Sequence, residues 1–145
     1  MPPLSLPAIA AIGMTMVIAT GGVDLSVGAV IAISAAMAAY LIGGDFGVTK
    51  TPLPLVILAA LGISTLCGLW NGILVSRARI QPMVATLVLM VAGRGIAQLI
   101  TDGQIITIYY EPYFFIGGGF LLGLPFSIYI VATVTAIAWL FTRRT

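Results

Sequence analysis

Five long apolar stretches, separated by short runs of glycine, proline and charged residues, make up most of this 145-residue chain. A helix rises about 1.5 Å per residue, so crossing a hydrocarbon layer roughly 30 Å thick takes about 20 apolar residues. On that scale Leu4–Thr20, Val23–Ile42, Leu53–Val75, Ile80–Ile100 and Leu124–Thr142 predict five membrane-spanning helices. The connectors carry turn chemistry: GGDFGVTKTP after the second stretch, SRAR after the third, and TDGQIITIYYEPYFFIGGGFLLG after the fourth. Between the first two stretches lies GGVDLS, whose glycines and acid predict an interruption near Gly21–Asp24. The first residues lack the basic segment and cleavage pattern of a signal peptide and read as structure. The expected fold is all-α, a polytopic transmembrane helix bundle occupying residues 1–145.

Composition excludes the alternative of a water-soluble globule. Hydrophobic residues make up 61% of the chain and charged residues 7%, with a mean hydropathy of +1.20. Ten charged side chains cannot cover the surface of a soluble domain of this size, so lipid is the expected solvent. The net charge of +2 is too small and too scattered for a nucleic-acid face. One cysteine, Cys67, and no histidine leave neither a disulfide framework nor a Cys/His metal site.

The sparse charges still orient the chain. Arg77 and Arg79 share one connector and Arg143 and Arg144 follow the last stretch, so the positive-inside rule puts both sites in the cytoplasm. The connectors bearing Asp45 with Lys50, and Asp102 with Glu111, then face outward. Trp70 near an inner end, and Tyr109, Tyr110 and Tyr113 near an outer one, suit an interfacial aromatic belt as well as ordinary packing.

Small residues supply the expected helix contacts. Ala60, Ser64, Gly68, Gly72 and Ser76 recur every four residues on one face of the third stretch, and Gly28, Ala32 and Ala36 form a shorter row on the second. Lipid tails are as apolar as leucine, so helices in a bilayer associate through close backbone approach, and such rows mark packing faces.

Polar groups inside the apolar stretches are the candidates for function. A charge at the bilayer centre costs about 2.5–3.5 kcal/mol on insertion scales and so is paired, near an interface, or beside a cavity. Asp24 follows Gly21 and Gly22 and precedes Ser26. Two readings fit it: an N-cap for the second helix, its carboxylate accepting from free N–H groups, or a broken helix lining a substrate path. With Ile80 at the inner surface, Arg94 stands about 21 Å up the core, and Gln98 and Thr101 follow on its face. Arg94 either ties down a neighbouring helix or lines the same path. Asn71, near the inner end of its helix, reads as interhelical glue. No Ser/His/Asp set, HExxH or phosphate-cradling loop occurs, and Gly117–Gly119 reads as a turn, so no catalytic site is expected.

Two long blocks, IGMTMVIATGGVDLSVGAVIAI and WNGILVSRARIQPMVATLVLMVAGRGIAQLITDGQI, resemble the permease subunits of bacterial ATP-binding-cassette sugar importers of the ribose, xylose and galactose type, most closely the galactofuranose type. The resemblance covers nearly the whole chain. It implies a monosaccharide channel in the inner membrane built with a second permease subunit, fed by a periplasmic sugar-binding protein and driven by a cytoplasmic ATPase. The chain would bind no cofactor itself, and ATP would be used by the partner. Asp24 falls on the acid of the family's glycine-glycine-hydrophobe-acid-leucine-serine stretch, and Arg94 on its arginine-glycine pair. Permeases of this type are about twice as long, so the chain reads as a partial permease domain, an N-terminal-half fragment. Two other readings stand beside this one: a small proton-coupled carrier in which Asp24 titrates, and a non-transporting membrane scaffold.

Overall fold

The computed structural model describes residues 5–43, 51–108, 115, 119–121 and 123–144. Helix α1 spans Ser5–Ala19, α2 Val27–Gly43, α3 Leu53–Ser76, α4 Pro82–Ile100 and α5 Phe126–Arg144. A two-residue ribbon pairs β1 (Phe120–Leu121) antiparallel to β2 (Leu124–Pro125) ahead of α5. The architecture is therefore helical apart from that short ribbon. Helices α3 and α4 are long and apolar enough to cross a membrane, whereas the apolar parts of the others are shorter: Pro7–Ala19, Val27–Gly43 and Phe126–Leu140. The acidic and lysine-bearing segment at Asp45–Lys50, the tyrosines at 109, 110 and 113, Glu111, and Gly117 with Gly118 lie outside the described residues.

The chain forms two compact units. One contains α1 packed with α5; the other contains α2, α3 and α4. In the first unit, α1 stops at a left-handed glycine, Gly21 (φ 78°), whose N–H donates to the Ile18 carbonyl at 2.9 Å. Glycine adopts that conformation without a Cβ clash and closes the last turn.

The helix ends of the second unit follow from local chemistry. Proline stands in the first turn of both α3 and α4, where its missing N–H would have had no partner in any case. Helix α4 ends in a double closing turn: Gly103 N–H donates to Gln98 O at 2.8 Å and Asp102 N–H to Leu99 O at 3.4 Å. Asp102 itself takes the left-handed conformation (φ 50°) usually given to glycine. Between α3 and α4, Arg79 also has positive φ (54°), and Ile80 N–H reaches back to Leu74 O at 3.2 Å.

Helix α2 packs against both α3 and α4. Ala29, Ile33, Ala36, Ala38 and Ala39 are buried on α2, as are Val56 on α3 and Ala85 and Leu89 on α4. The helices approach closely at Gly93 on α4, where an added Cβ would stand 2.9 Å from the Ala29 Cβ and 3.1 Å from Ile33 Cδ1.

The small-residue row expected to pack α3 does not make these contacts. Gly68, Gly72 and Ser76 are exposed, Ala60 and Ser64 only partly covered, and among the described residues nothing lies within 4 Å of a Cβ placed on Gly68 or Gly72. The Ser64 hydroxyl donates to Ala60 O of its own helix at 2.8 Å. On α2 the buried row begins at Ala29, one residue beyond the expected row; Gly28 is exposed and Ala36 belongs to both. A four-residue spacing defines a face but not its neighbour, and here α2 presents the adjoining face to α4.

Candidate functional site

Residues 22–26 link Gly21 to α2 without regular structure. Helix α2 starts at Val27, later than the apolar pattern alone predicts, because Asp24 diverts the backbone: its Oδ1 accepts from Ser26 N–H at 2.7 Å and from Ser26 Oγ at 2.6 Å. A carboxylate bonding to the backbone two residues on is a turn-forming device. Asp24 is accordingly not the N-cap. Ser26 stands next to the helix, and its carbonyl accepts the first intrahelical bond, from Val30 N–H at 2.9 Å. Asp24 thus shapes the approach to the helix from two residues further out.

Ser26 is 1% exposed and carries the connection to α3. Its hydroxyl accepts from Nδ2 of Asn71, 45 residues away, at 3.0 Å. A hydroxyl has one proton, and this one is directed at Asp24, so Ser26 can only accept from Asn71. The amide orientation follows: Nδ2 faces Ser26 and Oδ1 faces away. Asn71 is 9% exposed, and its Oδ1 is buried with no hydrogen-bond partner. Thr86 on α4 completes the surroundings, its Oγ1 donating mainly to Pro82 O at 2.9 Å, with Val23 O at 3.4 Å.

The backbone of this stretch is open. The N–H groups of Gly22, Val23, Asp24 and Leu25 have no acceptor among the described residues. Hydrocarbon offers no hydrogen bonds, so such backbone is stable only against protein or water.

The other expected site residues do not join this cluster. Gln98 lines a shallow groove of about 300 Å³ between α2 and the end of α4, with Ala32, Ala36, Ala39, Ala97 and Thr101. Arg94 is exposed, with neither an ion pair nor a hydrogen bond among the described residues. Gly21 belongs to the unit of α1, whereas Gly22, Asp24 and Ser26 belong to that of α2. No group of three metal-ligating side chains occurs among the described residues. The sequence pattern marks Asp24 and Ser26 and reads Asn71 as glue, but it carries no signal that Asn71 reaches Ser26. Nor does it single out Gly93 or Thr86.

Comparison with known proteins places the chain in a family. The family model described as "Branched-chain amino acid transport system / permease component" matches residues 4–145. The chain belongs to this permease family. It is 54% identical over 95% of its length to the galactofuranose transporter permease protein YtfT of Escherichia coli K12, covering 39% of that protein. It is 40% identical over 97% of its length to the ribose import permease protein RbsC of Haemophilus influenzae, covering 43%. With the L-arabinose ABC transporter permease protein AraH of Azospirillum brasilense it shares 36% identity over 87% of its length and 36% of that protein. The chain thus spans about two-fifths of the length of these relatives. No solved structure matches it. As a member of a transport permease family it is a protein of the inner membrane.

Proposed function

We propose that the chain forms part of the membrane-spanning subunit of an ATP-driven importer for a monosaccharide of the galactofuranose or ribose class. The observation that carries this reading is the 54% identity to a galactofuranose permease across 95% of the chain. The subunit would pair with a second permease subunit and receive sugar from a periplasmic binding protein. A separate cytoplasmic ATPase would consume the ATP, and this chain would perform no catalysis and hold no cofactor. The positive-inside rule supports a topology with Arg77–Arg79 and Arg143–Arg144 in the cytoplasm.

Within this reading, residues 22–26 line part of the sugar path. Unpaired backbone N–H groups and the carboxylate of Asp24 offer donors and acceptors to sugar hydroxyls, and Arg94 and Gln98 are further candidates along α4. Transport needs such groups to replace water around the sugar without holding it tightly.

The test is reconstitution. Proteoliposomes containing the transporter with its ATPase should accumulate labelled sugar when supplied with ATP and binding protein, and should need no pH gradient. Uptake driven by a pH gradient with the ATPase omitted, and abolished by Asp24→Asn, would instead establish a proton-coupled carrier.

A further inference from the structure

The half-satisfied amide of Asn71 marks a residue whose importance lies in orientation more than in adhesion. As glue between α2 and α3 it is weak: it makes one hydrogen bond across the interface and leaves Oδ1 buried without a donor. An unsatisfied buried acceptor offsets the gain from one neutral hydrogen bond, and an apolar side chain of similar size would hold the helices at least as well. What the one bond does accomplish is directional. By donating to Ser26 Oγ, Asn71 occupies the acceptor side of the hydroxyl and leaves its proton for Asp24. Asp24 Oδ1 then takes two short bonds, at 2.6 and 2.7 Å, which fix the plane of the carboxylate. Its Oδ2 has no partner among the described residues.

We infer that Asn71 is a positioning residue: acting through Ser26, it holds the Asp24 carboxylate so that Oδ2 accepts from a hydroxyl of the transported sugar. The inference rests on the proposal that residues 22–26 line the sugar path. Asn71 does not touch the sugar; it sets the angle at which Asp24 meets it.

The experiment measures discrimination. A site built to accept from a hydroxyl rejects the analogue lacking it, because the acceptor is left unpaired. Uptake of labelled ribose or galactofuranose, whichever the wild type carries, is compared with uptake of its monodeoxy analogues in cells holding the gene among its native neighbours. Any periplasmic binding protein is the same in every variant, so its share of the selectivity cancels. Asp24→Asn, Ser26→Ala and Asn71→Leu should each reduce discrimination against one and the same deoxy analogue, by about three- to tenfold for loss of one hydrogen bond. The double variant Ser26→Ala/Asn71→Leu should lose no more than either single one, since the two act in series. Asn71→Leu should melt at or above the wild-type temperature, because it removes a buried unsatisfied acceptor; if it fails to accumulate, Asn71→Ala carries the same expectation for selectivity. Unchanged discrimination in Asn71→Leu, with melting and uptake falling together, would make Asn71 a packing residue and overturn the inference. If Asp24→Asn also leaves discrimination unchanged, the path assignment falls and the inference with it. If Asp24→Asn alters discrimination and Asn71→Leu does not, only the role of Asn71 is refuted.

Discussion

Two glycines on one helix should respond differently to the same substitution. Gly93 and Gly95 both lie within α4, so replacing either with alanine relieves the same intrinsic cost of glycine in a helix, about 1 kcal/mol. Their surroundings differ. A Cβ at Gly95 meets nothing within 4 Å, whereas one at Gly93 would stand 2.9 Å from Ala29 Cβ and 3.1 Å from Ile33 Cδ1. The isoleucine terminus can turn aside, but the Ala29 methyl is fixed to the α2 backbone, so the helices themselves must separate. Overpacking of this kind costs about 1–3 kcal/mol. Gly95→Ala should therefore stabilise by up to about 1 kcal/mol, and Gly93→Ala should range from neutral to destabilising by about 2 kcal/mol. The difference between the two isolates the packing term, because propensity cancels. Unfolding of the purified protein by denaturing detergent, followed by helical circular dichroism, measures both. Ala29→Gly should restore the loss in the Gly93→Ala background, since it removes the opposing methyl. Equal effects at the two glycines, or no rescue by Ala29→Gly, would show that α2 and α4 do not meet at Gly93.

Two further outcomes follow from local geometry. Asp102→Gly relieves a left-handed conformation at a non-glycine residue and should stabilise the end of α4 by about 0.5–1 kcal/mol, read as a higher melting temperature; a lower one would mean that the Asp102 side chain makes a contact worth more than the strain. With Cys67 replaced, a single cysteine at Ser76, the exposed end of α3, should resist a membrane-impermeant thiol reagent in intact cells and react after the membrane is opened; labelling in intact cells would reverse the proposed orientation.

Length and apolarity were enough to locate the helices, because a segment that must satisfy its own backbone in lipid has few alternatives to a helix. What they left out came from single side chains. The late start of α2 depends on Asp24 taking the Ser26 N–H, and the late start of α5 on Leu124–Pro125 pairing back to Phe120–Leu121. Both are choices between a turn and one more helical residue that apolarity does not register. Asp24 was legible as a candidate because a carboxylate in an apolar run needs a reason, and Ser26 because it stands beside it. The bond from Asn71 to Ser26 was not, since a separation of 45 residues says nothing about which polar groups face each other. The meeting of α2 and α4 was not legible for a related reason: α3 has the longest row of small residues, yet the close approach among the described residues uses Gly93, next to an arginine on α4.

The contact between α2 and α4 also has a thermodynamic character of its own. Ala29, Ala36, Ala39, Ala85 and Gly93 have no rotamers to lose, so most of this interface forms without freezing side-chain motion. In a bilayer, where water supplies no push between helices, that saving weighs heavily in favour of association. The contact also fixes the register. A shift of α2 by one turn along α4 would carry the Ala29 methyl from Gly93 to Leu89 or Ala97, each of which has a Cβ, so the one position without a side chain sets where the two helices lock.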